Sequence, residues 1–248
     1  MIWSDAARRA KWLLSIVLVV GLFALSNLQV TTRQGLNYEV STHRLPLYAK
    51  GLQFIDRHIQ YGQIAVEVTA GVSSDEARVM RIFEWTKRNI RQTPDGWPIV
   101  DDHILNIIVR GHGVSDQQAD VFTTLSAYAG MPAFWQEVRA TRTKDGLILS
   151  FARVGNRWAV FDVLNGFAFR TRDGVLATAD DLGADPAVLP DAARAITVGS
   201  TPYPKIVEGL RTPPVPRPLR AELQMPWPRL RYEAARVAGL ERNNGSER

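Results

Sequence analysis

The residues of this sequence best placed for chemistry are one serine and two histidines. Ser115 lies three positions after His112, and His103 follows Asp101 and Asp102 in the loop before it. A hydroxyl is too weak an acid to attack a carbonyl unaided, so Ser115 would need an imidazole as general base. The plainer reading makes Ser115 the N-cap of a helix, its oxygen accepting from backbone N–H groups two or three residues on. Asp101, Asp102 and His103 combine carboxylates with an imidazole, as zinc or manganese would require, but no spaced second histidine pair joins them; a helix or turn cap is the simpler role, and neither metal nor cofactor is expected. The chain has no cysteine, which excludes disulfides, thiolate metal sites and a thiol nucleophile. Trp85, Trp97, Trp135 and Trp158 could line a groove for peptide or carbohydrate, with Trp97, between Gly96 and Pro98, best placed for exposure.

These groups need elements to hold them. Ser73 and Glu76 have capping-box spacing, and Val79, Ile82, Phe83, Thr86 and Ile90 recur at helical intervals, so 75–91 is expected to be an amphipathic helix ended by Pro94, Gly96 and Pro98. Gly111 and Gly113 lead into a second helix over about 115–129, with Ala119, Phe122, Leu125 and Ala129 on one face and Gly130 and Pro132 closing it. Three alternating runs follow, 133–142, 147–154 and 157–164. Turns at Lys144-Asp145-Gly146 and Gly155-Asn156 would join them as antiparallel hairpins. Upstream, 45–70 begins at Pro46 and has helical apolar spacing, an entry helix against the domain. The pattern weakens after 172. Residues 211–228 carry six prolines among basic residues, which reads as an extended or wrapping segment or a solvated basic tail, with a short helix over 229–238.

The N-terminus is of another kind. Arg8, Arg9 and Lys11 precede an uncharged stretch, 12–28, which as a helix would reach ~26 Å, close to bilayer thickness. Positive charge belongs on the cytoplasmic side, which would place the rest of the chain outside the cytoplasm. Ala24 and Ser26 allow a signal-peptide cleavage, but the apolar run continues past them, and a retained anchor is the preferred reading. The net charge of +5 and pI near 9.7 would suit an anionic partner. Lysine and arginine are nevertheless spread along the chain, and nucleic acid is not expected as a ligand.

Three segments resemble one family in order. Gly111-His112-Gly113-Val114-Ser115-Asp116-Gln117-Gln118-Ala119 is similar to the glycine-rich turn entering the nucleophile helix of the transglutaminase-like (papain-like cysteine protease) superfamily. Gly130-Met131-Pro132-Ala133 resembles the exit from that helix, and Gly155-Asn156-Arg157-Trp158-Ala159-Val160-Phe161-Asp162 resembles the strand ending in the family's aspartate. The match runs over about 75–162. It implies an α+β fold, helices packed on an antiparallel sheet, preceded by a transmembrane helix and followed by an irregular extension.

The resemblance also implies which chemistry is missing. The family's cysteine position is held by Ser115. Its histidine position, counted back from Asp162, is Leu147, or Ser150 if the hairpin shifts, and no histidine follows His112. Of the three groups only Asp162 remains, and a carboxylate that orients an imidazole has no task without one. The domains then read as 1–11 basic cytoplasmic N-terminus, 12–28 anchor, 29–72 linker and entry helix, 73–172 core, 173–210 peripheral segment and 211–248 tail. The expectation is a non-catalytic, single-pass protein of a bacterial inner membrane with its domain in the periplasm, binding or scaffolding a peptide or surface polysaccharide, with a part in polysaccharide assembly implied by the resemblance alone. Trp97, Asp102, Asp116 and Gln117 are the candidate ligand contacts. A serine-based acyl transferase or amidase using Ser115, a relocated His103 or His112, and Asp162 is the competing reading. An assembly subunit binding envelope partners through its helix and tail is the third.

Overall fold

The computed structural model describes residues 2–36, 39–99, 103–140 and 143–239, the side chains of 2–7, 33–36 and 39–41 excepted. The chain divides into two compact units, 1–56 with 100–102, and 57–99 with 103–248.

In the first unit, α1 (Ile2–Ser26) is followed by a hairpin of β1 (Gln29–Leu36) and β2 (Glu39–Pro46), and then by the start of α2 (Leu47–Val68). Arg8–Ser26 is long and apolar enough to cross a membrane, and none of that stretch is buried. A helix apolar on all sides and left bare in water is unfavourable, whereas lipid solvates it. Within the segment expected as linker and entry helix, 29–72, residues 29–46 form a hairpin, Gln29 opposite Pro46 and Leu36 opposite Glu39. Val30, Thr31, Thr32, Val40 and Thr42 are β-branched and favour extended backbone, a local signal that the polar composition concealed.

The second unit holds the remainder of α2, then α3 (Asp75–Asn89), β3 (Arg91–Gln92), α4 (Ile104–Arg110), β4 (His112–Gly113) and α5 (Ser115–Tyr128). A sheet follows, β5 (Ala133–Arg139), β6 (Gly146–Val154), β7 (Arg157–Asp162) and β8 (Phe167–Ala168), antiparallel in the order β5-β6-β7-β8. The helix expected over 75–91 does start at Asp75 and ends at Asn89, two residues early, with Arg91 in β3. Ser74, not Ser73, is the N-cap, its oxygen accepting from the Ala77 N–H at 3.2 Å. The short helix α4 was not anticipated. It ends on Gly111, whose φ of 72° is one that L side chains rarely adopt.

Alternation along the strands builds two cores. Ala133, Ala152, Ala159 and Phe161 pack toward the helices with Ile82, Phe83, Val121, Phe122 and Leu125. The rings of Phe83, Phe122 and Phe161 meet at 5.0–6.1 Å. Phe134, Leu147, Leu149, Phe151 and Val160 face the other way, onto a second core with Phe169, Leu182, Tyr203 and Ile206. That core is built by the segment in which the sequence pattern fades: α6 (Ala179–Ala184), α7 (Asp191–Arg194), the pair β9 (Thr197–Val198) and β10 (Thr201–Pro202), and α8 (Tyr203–Val207). The sheet is therefore covered on both faces. On the first core's side, α5 is a central helix with residues 117–127 all buried, packed against α3, α4 and the sheet, rather than the one-faced helix its apolar spacing predicted.

The basic, proline-rich segment is a strap rather than a solvated tail. It has no regular structure over 211–216, buries Leu219 and Ala221, and leads into α9 (Pro226–Val237), close to the expected terminal helix. Thr212 Oγ1 donates to Asp180 at 2.5 Å, Arg220 reaches Asp120 at 2.8 Å, and Tyr128 OH donates to the Gln224 carbonyl at 2.8 Å.

Candidate functional site

The α5 N-terminus is set by a short parallel ladder. Arg91 lies opposite His112, and the Thr93 N–H donates to the Gly113 carbonyl at 3.1 Å, tying the loop after α3 to the turn before α5. Gly113 is tightly surrounded: a Cβ there would meet Gln117 Cβ at 3.0 Å and Ile107 at 3.2 Å, so a larger residue would push these neighbours by a few tenths of an ångström. The N-cap is Val114, and Ser115 is the first helical residue, which corrects the expectation that Ser115 caps the helix. The cap is completed from the other side: Gln117 Oε1 accepts the Val114 N–H at 3.2 Å and a bond from Arg110 Nη2 at 3.1 Å. Asp116 Oδ1 accepts the Gln117 N–H at 2.8 Å. A carboxylate in the first turn also complements the helix dipole.

The histidines are turned to other tasks. His112 Nδ1 is 3.3 Å from Thr93 Oγ1, and its ring meets Trp97 edge-on at 5.3 Å between centroids. Burial, and then the neighbouring Arg110 guanidinium, lower the His112 pKa, so its ring is held toward the neutral form. His103 is the N-cap of α4 without a side-chain cap bond, and its carbonyl accepts from Asn106 and Ile107. Among the described residues no hydrogen bond joins Ser115 to an imidazole or to a carboxylate. Trp97 is 47% exposed, as expected, while Gln117 is buried. Asp101 and Asp102 lie outside the described residues. Among the described residues no cluster could hold a metal.

Asp162 belongs to a different network. It is buried at the end of β7, where its carboxylate accepts from the Asn165 N–H at 2.9 Å, Asn165 Nδ2 at 2.8 Å and Tyr203 OH at 2.8 Å. Desolvation raises its pKa despite those three donors, which oppose the shift. Burial, together with the carboxylate, also pushes the Tyr203 hydroxyl far up. The positions counted for the family's histidine offer no base: Leu147 is packed in the second core, and Ser150 is fully buried with no hydrogen-bond partner for its hydroxyl. As arranged, the α5 end provides a partly exposed Ser115 at a helix N-terminus and an exposed indole beside an imidazole, and among the described residues no base is hydrogen-bonded to Ser115.

Sequence reasoning missed the polar cluster on the flank of α5. Asp120 is buried in the second turn, where it accepts from Trp135 Nε1 at 2.6 Å and pairs with Arg220, whose guanidinium lies 5.9 Å from the Trp135 ring. No local signal links residues 120, 135 and 220. The Asp162–Asn165 contact was missed as well, although a carboxylate three residues before an asparagine is a local turn signal that could have found it. A surface groove of about 670 Å³ is lined by Ala140, Thr143, Ser200, Thr201, Pro202, Lys205 and Glu208. None of the candidate site residues lines it.

No family model matches this sequence, and no curated protein is similar to it. Among solved structures, a candidate cysteine protease from Cytophaga hutchinsonii is similar at a TM-score of 0.39 and 18% identity, over 47% of this chain and 40% of that one. A candidate protease from Parabacteroides distasonis ATCC 8503 is similar at 0.35 and 11%, over 55% and 36%. The chain thus spans 40% and 36% of the lengths of those two proteins. Neither likeness assigns a family or an activity.

Proposed function

We propose that this chain is a single-pass envelope protein whose transglutaminase-like domain binds or scaffolds a peptide or surface polysaccharide without cysteine-type or serine-type catalysis. The orientation proposed is with α1 in a bacterial inner membrane and the domain in the periplasm. The observation that carries the reading is the state of the three positions the resemblance singles out. Ser115 stands where the nucleophile would be, with no imidazole bonded to it. Leu147 is sealed in an apolar core, and the Asp162 carboxylate is shared between Asn165 and Tyr203. A serine hydrolase needs its base within about 3 Å of the hydroxyl or one water away. His112 is instead held against Thr93 and Trp97.

What remains useful at this end of α5 is the exposed indole of Trp97, the Asp116 carboxylate and the Ser115 hydroxyl. Indoles stack on sugar faces and on peptide planes, with a polar N–H for orientation. The test is binding of the full chain to peptidoglycan peptides and to cell-surface polysaccharide fractions, by calorimetry in detergent. Trp97→Ala should weaken binding about tenfold, the loss of ~1.4 kcal/mol. Ser115→Ala should leave it within about twofold, a change of ~0.4 kcal/mol. A fluorophosphonate probe should leave Ser115 unmodified. Covalent labelling of Ser115 that His112→Ala abolishes would sink the non-catalytic reading in favour of the serine enzyme.

A further inference from the structure

The terminal helix α9 presents an apolar face that no part of the described chain covers. Trp227, Leu230, Ala234 and Val237 recur at three, four and three residues, the spacing of a single helix face. Trp227, Leu230 and Val237 are 66%, 60% and 85% exposed. Pro228, Tyr232 and Ala235, on another side of the helix, are half-buried, so the apolar stripe is the face left to solvent. Its charges are unbalanced. Arg229 and Arg236 share the one carboxylate of Glu233, each at 2.7 Å. With Arg231 the helix carries three positive charges against one negative, a net of +2.

We infer that α9 lies in the interface of an anionic lipid surface, Trp227, Leu230 and Val237 entering the headgroup–acyl boundary and Arg229, Arg231 and Arg236 meeting lipid phosphates. The argument is one of charge complementarity and composition. An amphipathic helix with tryptophan and leucine on its apolar face and arginines beside it is the form that binds bilayer interfaces, and interfacial tryptophan is favoured at headgroup depth. The stripe is too small to sustain a protein dimer: four side chains, one of them an alanine, fall well short of the ~800 Å² per partner that stable interfaces bury. The helix follows directly on the strap, which Arg220 and Gln224 fasten to α5. Docked on lipid, α9 would give the second unit a membrane contact of its own, independent of α1. The inference does not depend on whether the α5 site is catalytic.

The absence of cysteine makes the test direct. The full chain bearing Leu230→Cys, labelled with an environment-sensitive NBD fluorophore, is reconstituted into vesicles of phosphatidylcholine with and without phosphatidylglycerol. In anionic vesicles the label should emit to the blue and be quenched by doxyl-labelled lipid, and in neutral vesicles much less so. Arg231→Gln should lower the membrane-docked to undocked ratio about fivefold, one basic contact at an anionic surface. Because Leu230→Cys itself trims the stripe, Val237→Cys serves as a second reporter and should behave in the same way. Two results overturn the inference. One is labels at both positions that remain unquenched in anionic vesicles. The other is labels already shielded in lipid-free detergent in proportion to protein concentration, which would assign the face to a second copy of the chain.

Discussion

Asp162 shows how a buried carboxylate can serve structure rather than chemistry. Its carboxylate is desolvated yet holds three donors, so the folded protein raises its pKa above the ordinary 3.8 while depending on its oxygens for structure. The sign of the pH dependence follows by linkage. A raised folded-state pKa means that the folded state binds the proton more tightly than the unfolded chain. This contribution to stability is full below the unfolded value and is lost as pH rises through the raised one. Asp162→Asn keeps an acceptor for Tyr203 and cannot ionise. Its urea midpoint should therefore fall less steeply than that of the unaltered protein as pH rises from about 4, where free carboxyls titrate. Equal slopes for the two proteins would show that Asp162 ionises as freely when folded as when unfolded. Ser115 is the converse case: its position at the first helical residue was readable to within one residue. Which groups would meet it was not, since His112 is committed to Thr93 and Trp97 by a ladder between segments some twenty residues apart.

At the scale of elements, one buried carboxylate is among the contacts that join the strap to α5. Asp120 satisfies Trp135 Nε1 and Arg220 together. Its removal leaves a partly buried indole N–H without its partner, a cost of about 1 kcal/mol, up to ~3 if water cannot reach it. Asp120→Ala should lower the unfolding free energy by that order, measured by chemical denaturation. Arg220→Ala removes only a largely exposed partner, and surface ion pairs contribute about 0–1 kcal/mol. It should leave global stability nearly unchanged and yet speed limited proteolysis within 211–220. If Arg220→Ala were as destabilising as Asp120→Ala, the strap would be part of the core rather than fastened onto it. The strands and the helix over 75–91 were legible because period and turn chemistry are local. The hairpin β1–β2 and helix α4 escaped notice because short, polar or glycine-bounded elements take their identity from what they pair with.

For the whole molecule, α1 supplies the most direct expectation. Its stretch from Arg8 to Ser26 is uncharged after Lys11 and has no buried residue. A retained anchor predicts that the full chain stays in the membrane pellet through alkaline carbonate extraction, and the proposed orientation predicts that residues 29–239 are protease-accessible from the periplasmic side only. Release into the soluble fraction with loss of the N-terminus would show cleavage near Ala24–Ser26 instead. The second core bears on the candidate site as well. With Leu147 enclosed by Phe169, Leu182 and Ile206 in one cluster, a histidine introduced there would bury a polar ring against apolar neighbours, which costs about 1–3 kcal/mol. Introducing a cysteine–histidine pair by Ser115→Cys with Leu147→His is thus predicted to yield a destabilised protein.

The sequence by itself determined the apolar N-terminal helix, the absence of thiol chemistry, the order helix, glycine turn, helix and antiparallel strands, and the lack of any histidine beyond His112. Each is a matter of residue type or of spacing within one element, which the chain states locally. Only the tertiary structure decided that the sheet is covered on both faces, that Asp162 serves Tyr203, that Asp120 joins Trp135 to Arg220, and that the proline-rich segment is a strap leading into an amphipathic helix whose apolar face no described residue covers. These depend on residues 15 to 100 positions apart meeting across a packed interior, and no period or motif records which distant partner will satisfy a buried polar group.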